Sequence, residues 1–160
     1  MKVEQLMTKD IKTCRPEDTL KAAALIMWNN DCGIVPVVDE NSQVVGVITD
    51  RDICMAGCFQ DARLSDLSIA KTMSKEVYSC RPNDSIETAE KLMRQHQVRR
   101  LPVIHANGRV LGLISFNDIV RESENERERG VGRQVNAEEI TETLAAICAR
   151  HTAGAVVATA

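Results

Sequence analysis

The sequence predicts an α/β (α+β) fold: two pseudo-symmetric β-α-β-β-α units packed sheet to sheet, with an additional C-terminal helix. Three observations carry that expectation. With an offset of 66 residues, positions 7–54 lie over 73–120 without a gap, and 16 of the 48 pairs are identical. Each copy mixes short β-branched runs with stretches of helical apolar spacing. One copy alone would leave a face of a three-stranded sheet bare, which a second copy can bury.

Each unit opens on a short extended piece, Ile11–Thr13 or Val77–Ser79, that stops before Pro16 or Pro82. Proline biases its predecessor away from helix and orders a turn. A helix follows, with Asp18 or Asp84 expected at the N-cap and Glu87 completing a capping box in the second copy. Its apolar stripe is Leu20, Ala23, Ala24 and Met27 in one copy, and Ile86, Ala89, Leu92 and Met93 in the other. Two apolar strands come next, Ile34–Val38 with Val44–Ile48, then Leu101–Ile104 with Val110–Ile114. Asp39-Glu40-Asn41-Ser42 and Ala106-Asn107-Gly108 supply hairpin turns between them. A last helix starts near Asp50 or Asn117. The expected boundaries are 1–62 for the first unit, 63–125 for the second and 126–160 for a C-terminal extension.

Composition narrows the function classes. The 160 residues are 44% hydrophobic and 27% charged, as in soluble globular chains. Aromatics are only 2%, so the core must be aliphatic and base-stacking platforms for single-stranded nucleic acid are missing. A net charge of −3 removes the electrostatic basis for a nucleic-acid partner. No apolar run is long enough to span a membrane, and the first residues lack the apolar stretch of a leader, so a cytoplasmic protein is expected. Six cysteines are then expected to be reduced and mostly buried, and with three scattered histidines they form no metal-ligand spacing.

At this point the residues resemble a known family. Two copies of Pro-x-Asp-[Thr/Ser], of [Val/Leu]-Pro-Val-[Val/Ile], and of Gly-x-Ile-[Thr/Ser]-x-x-Asp look like a tandem pair of CBS domains, a Bateman module, over about residues 1–125. A hydroxyl and a carboxylate three residues apart, opening a helix after a strand, converge on one helix N-terminus. There a carboxylate can accept a ribose diol, while the hydroxyl and helix N–H groups can meet phosphate. Simple helix capping by Thr49 and Ser115 explains the same pattern.

The resemblance implies a ligand in each cleft between the copies. Carried over position by position, site one combines Thr49, Arg51 and Asp52 with Tyr78, Arg99 and Arg100. Site two combines Ser115, Asn117 and Asp118 with Lys12, Cys32, Gly33 and Ile34. Lys12 and Tyr78 would line the base pocket largely through backbone. Three guanidiniums suit site one to bidentate phosphate contacts, whereas Lys12 is the only cation expected at site two. Site one is therefore expected to hold a phosphorylated adenine nucleotide, and site two to bind more weakly, prefer adenosine-like ligands or stay empty.

Beyond the repeat, Arg121–Arg129 alternates in charge and Gly130 is a helix stop. Asn136 should cap a helix near 137–150, with Glu139 completing a capping box and Ile140, Leu144, Ile147 and Cys148 as its apolar stripe. The small apolar end, 153–160, is expected to fray.

These features favour a regulatory module that senses an adenosyl ligand and acts on an effector protein in trans, with homodimerisation as the default. AMP, ADP or ATP fit, NAD or S-adenosylmethionine are possible, and no cofactor is obligatory. An enzyme is not expected, because no nucleophile–base pair, metal cluster or Gly-rich phosphate loop is visible. The alternative is a structural dimerisation module with degenerate sites.

Overall fold

The computed structural model describes residues 1–130, 132 and 135–149. A short helix α1 (Val3–Leu6) precedes the first unit, which runs α2 (Leu20–Asn29), β1 (Ile34–Val38), β2 (Val44–Thr49) and α3 (Asp50–Gln60). A 3₁₀ turn at Ile69–Lys71 leads to the second unit: α4 (Ile86–His96), β3 (Arg100–Ile104), β4 (Val110–Ser115) and α5 (Phe116–Arg129). Helix α6 (Ala137–Cys148) closes the described chain. Both hairpins are antiparallel, Ile34 opposite Thr49 and Arg100 opposite Ser115, and their registers break at equivalent points. In the turns Asp39 accepts from the amides of Asn41 and Gln43, and the equivalent residues Ser42 and Gly108 both take positive φ.

The expected leading strands are reduced to one bridging residue each, Cys14 beside Val37 and Cys80 beside Val103, both parallel. Proline explains this. Cys14 donates to Pro36 O and accepts from Val38 N, at 3.2 and 2.9 Å, and Cys80 does the same with Pro102 and Ile104. The next ladder bond would run from the proline N–H to the carbonyl of Lys12 or Tyr78. A proline has no N–H to give.

The segments ahead of these bridges cross between units. Thr8 pairs with Leu113 of the second hairpin, while the equivalent Ser74 pairs with Val47 of the first. Val3 accordingly lies in the second unit's core, and Leu67 and Ile69 lie in the first. The crossing requires bare backbone beneath it. A Cβ on Gly112 would come 2.5 Å from Thr8 O, and one on Gly46 would come 2.8 Å from Ser74 O. On the pseudo-twofold axis itself, Gln43 bridges its own equivalent, Arg109.

Each unit keeps its own aliphatic cluster. Leu20, Ala23, Met27, Val35, Val37 and Ile48 anchor one; Ile86, Ala89, Met93, Leu101, Val103 and Ile114 anchor the other. Several local expectations are corrected. The helix caps are Thr19 and Ser85, accepting from Ala22 and Thr88; Asp18 and Asp84 instead accept from the amides of Arg15 and Arg81 and hold the turn before the helix. Of the six free cysteines only Cys14 and Cys80 are buried, with burial pushing both thiols up to about 12. Cys54 and Cys58 are exposed on α3, whose buried residues are Ile53 and Ala56.

The extension docks on the second unit, α6 against α4 and α5. Asn136 caps it by accepting from Glu138 N, but the Glu139 side chain turns to Glu90 instead of back to the cap. Its packed face is Ile140, Thr143 and Ile147, with Leu144 left half exposed. Residues 153–160 lie outside the described residues.

Candidate functional site

Two clefts separate the units, one at the start of α3 and one at the start of α5. Each strand end feeds directly into a capped helix. Thr49 Oγ1 accepts from Asp52 N at 3.2 Å, and Asp52 Oδ2 accepts from Thr49 N and Oγ1 at 2.9 and 2.7 Å. Ser115 and Asp118 repeat the arrangement at 3.2, 2.9 and 2.6 Å. Both are complete capping boxes, so capping is real. Each box engages only Oδ2 of its carboxylate; Oδ1 stays outside the cap at the positive end of a helix.

All six residues expected at site one line one cavity of 520 Å³: Thr49, Arg51, Asp52, Tyr78, Arg99 and Arg100. The Tyr78 ring stacks on His96 with centroids 3.6 Å apart and planes 16° from parallel. The neighbouring Glu76 carboxylate raises the pKa of the Tyr78 hydroxyl. Because Pro102 lacks an N–H, the ladder leaves the Tyr78 carbonyl to any donor that enters the cleft. Gln97 also lines this cavity, as do Ile147 and Cys148 from α6. Sequence reasoning missed the α6 wall, since nothing in the stripe on that helix says where it docks.

At site two, Ser115, Asn117, Asp118, Lys12, Cys32 and Ile34 line a cavity of 290 Å³. Gly33 is the exception. It faces site one and a groove between α2 and α3, where its carbonyl accepts from Asp50 N and a Cβ would come 2.9 Å from the Asp50 carboxylate. The Lys12 ammonium pairs with Asp10 at 3.2 Å. Arg121, one turn into α5, adds a guanidinium that the repeat alignment did not single out. It sits three residues beyond Asp118, and helical spacing could have found it. Arg100 occupies the position equivalent to Ile34 and lines both clefts. Site two therefore holds cations too, and the difference between the sites lies in volume and in the α6 wall.

The geometry defines a duplicated module with one capped helix end and one inter-unit cleft per copy. The family model for the CBS domain matches residues 3–57 and 64–125. The chain belongs to the CBS domain family, as a tandem pair. It is 38% identical over 125 residues to the CBS domain-containing protein YhcV of Bacillus subtilis, covering 78% of this chain and 87% of that one. Among solved structures it is similar to Hypoxic Response Protein I with two coordinated zinc ions, at TM-score 0.69 and 29% identity, covering 76% of this chain and 98% of that one. It also shares the fold of the CBS domain pair of protein MJ0100 in complex with 5′-methylthioadenosine and S-adenosyl-L-methionine. There the TM-score is 0.72 and the identity 23%, over 79% of this chain and 98% of that one. Among the described residues no helix is long and apolar enough to cross a membrane, and no group of His, Cys, Asp and Glu could hold a metal ion.

Proposed function

We propose that the protein is an adenine-nucleotide sensor that binds its ligand in the inter-unit clefts and signals through a change in how the units pack. One observation carries this reading. In each cleft a carboxylate with an uncommitted oxygen, a helix N-terminus and a backbone carbonyl freed by proline converge from two units. Asp52 Oδ1 suits a ribose diol, Arg51, Arg99 and Arg100 suit a phosphate, and the Tyr78 carbonyl suits the exocyclic amine of a base. A volume of 520 Å³ falls within the roughly 300–1,000 Å³ typical of small-molecule sites. The smaller site two, with Lys12 already paired to Asp10, fits a weaker or unphosphorylated adenosyl ligand.

The protein acts by binding, on an effector in trans, and catalyses no reaction. It works as a homodimer through the first unit's helices. Leu25, Trp28, Met55 and Phe59 are exposed there by 50, 85, 42 and 78%. Their equivalents in the second unit are the polar Lys91, Arg94, Arg121 and Asn125. Thermal melts against AMP, ADP, ATP, NAD and S-adenosylmethionine test the sensor reading. A ligand at one hundred times its Kd should add about 2.7 kcal/mol to stability. No shift with any of them would favour a purely structural dimerisation module.

A further inference from the structure

Helix α6 meets α4 through an unusual pair. Glu90 on α4 is 1% exposed at a position where the first unit has Ala24, so the fold of the unit itself does not require a carboxyl there. It faces Glu139 of α6, and both Glu90 Oε1 and Glu139 Oε2 are buried without a hydrogen-bond partner. Two carboxyls brought together away from water cannot both ionise cheaply; sharing one proton lets them hydrogen-bond. Other charged groups surround them. On α4, Arg94 opposes protonation and Glu87 favours it. The Arg94 guanidinium is also tied to α6, donating to Thr143 Oγ1 at 2.8 Å and Glu139 O at 3.4 Å. On α5, the buried Glu126 accepts from the Val135 amide at 3.1 Å.

The far end of the same helix reaches site one. Gln97, the left-handed residue ending α4, donates from Nε2 to Ala146 O at 3.0 Å and Ala149 O at 3.4 Å. Gln97, Ile147 and Cys148 all line the site-one cavity, and no residue of α6 lines site two.

We propose that α6 is a proton-sensitive strap that completes site one: the shared proton of Glu90 and Glu139 holds the helix down, and its release opens one wall of the cleft. The part of this that concerns ligand rests on the nucleotide reading above. The sign follows from burial. The Glu90 carboxyl is pushed up from 4.5 to about 7, chiefly by desolvation and then by Glu139. Docking therefore takes up a proton. It is strongest below pH 4.5, weakens by up to about tenfold per pH unit as the pH rises to about 7, and changes no further above that. Since docking walls site one, a nucleotide bound there and the proton favour each other.

Hydrogen exchange on the ligand-free protein tests the strap alone. After correction for intrinsic rates, protection of the α6 amides should fall at least about tenfold between pH 5.5 and pH 7.5. It should stay flat in Glu90→Gln, whose amide donates to Glu139 without a titrating proton, whereas Glu139→Gln, which leaves Glu90 buried and titrating, should keep part of the fall. Calorimetry with AMP in an Asp118→Ala background tests the coupling. Site-one affinity should decline over the same range, and more steeply than in the Glu90→Gln version, which shares the titration of the phosphate itself. Protection that does not change with pH in the wild type, or that falls as steeply in Glu90→Gln as in the wild type, overturns the strap. Protection that falls while AMP affinity follows the Glu90→Gln profile overturns its link to site one. If AMP does not bind at any pH while protection behaves as expected, the nucleotide reading fails and the strap stands.

Discussion

The two units share a backbone plan residue for residue, yet they face their surroundings in opposite ways. Equivalent glycines pass under equivalent crossing segments, equivalent prolines interrupt the leading strand, and equivalent capping boxes open the clefts. The outer helical faces diverge. The first unit leaves Trp28 and Phe59 exposed, whereas the second sets Arg94 and Asn125 at those positions and lays α6 over α4. What has been kept is the geometry of the crossing and of the clefts. What has been varied is the surface that decides what each unit touches.

The largest effects should come from the interior, where the units are alike. Ile48 and Ile114 are equivalent and fully buried, one in each cluster. Truncating either to alanine should cost about 2–5 kcal/mol, the two costs agreeing within about 1 kcal/mol in denaturant unfolding. Widely different costs would show that one cluster carries the fold.

The crossings provide the next comparison. Gly112→Ala should destabilise by about 1–3 kcal/mol and Gly46→Ala by less, because the Thr8 carbonyl lies closer than the Ser74 carbonyl and backbone cannot swing away. Equal melting temperatures for the two variants would mean the segment 1–8 shifts freely.

The outer faces offer a test in solution. Trp28→Glu should convert the proposed dimer to a monomer by sedimentation, while Lys91→Glu on the opposite unit should leave that dimer intact. A dimer that survives Trp28→Glu would put the interface elsewhere. Smaller still, Thr49→Ala and Ser115→Ala should each cost about 1 kcal/mol through loss of a cap, read by thermal unfolding.

Much of this plan is legible in the amino-acid sequence, and the parts that are not share a cause. The repeat, the hairpins and the capped helix ends follow from local chemistry: turn residues at Asp39–Ser42, alternation in the strands, and a hydroxyl three residues before a carboxylate. The crossing of 1–8 and 67–74 is not legible, because a pairing pattern names a face but not a partner sheet. The N-caps lie one residue beyond the expected ones since Asp18 and Thr19 are both competent, and the bond that the Arg15 amide donates to the Asp18 carboxylate decides between them. Gly33 faces the wrong cleft for its alignment, and there its carbonyl accepts from Asp50 N. Arg121 and the end of α6 enter the clefts from helices whose docking depends on tertiary packing. The expectation that cations gather in one cleft was built on residues near in sequence to the motifs, and Arg121 and Arg100 change it.

The two clefts should bind AMP unequally, site one more tightly. Calorimetric titration of AMP into wild-type protein and the Asp52→Ala and Asp118→Ala variants tests it most directly. Removing a charged hydrogen-bonding partner is worth about 1.5–3 kcal/mol. Asp52→Ala should therefore weaken the tighter binding event by roughly ten- to a hundredfold, and Asp118→Ala should leave that event nearly unchanged. Equal losses from the two variants would contradict the account.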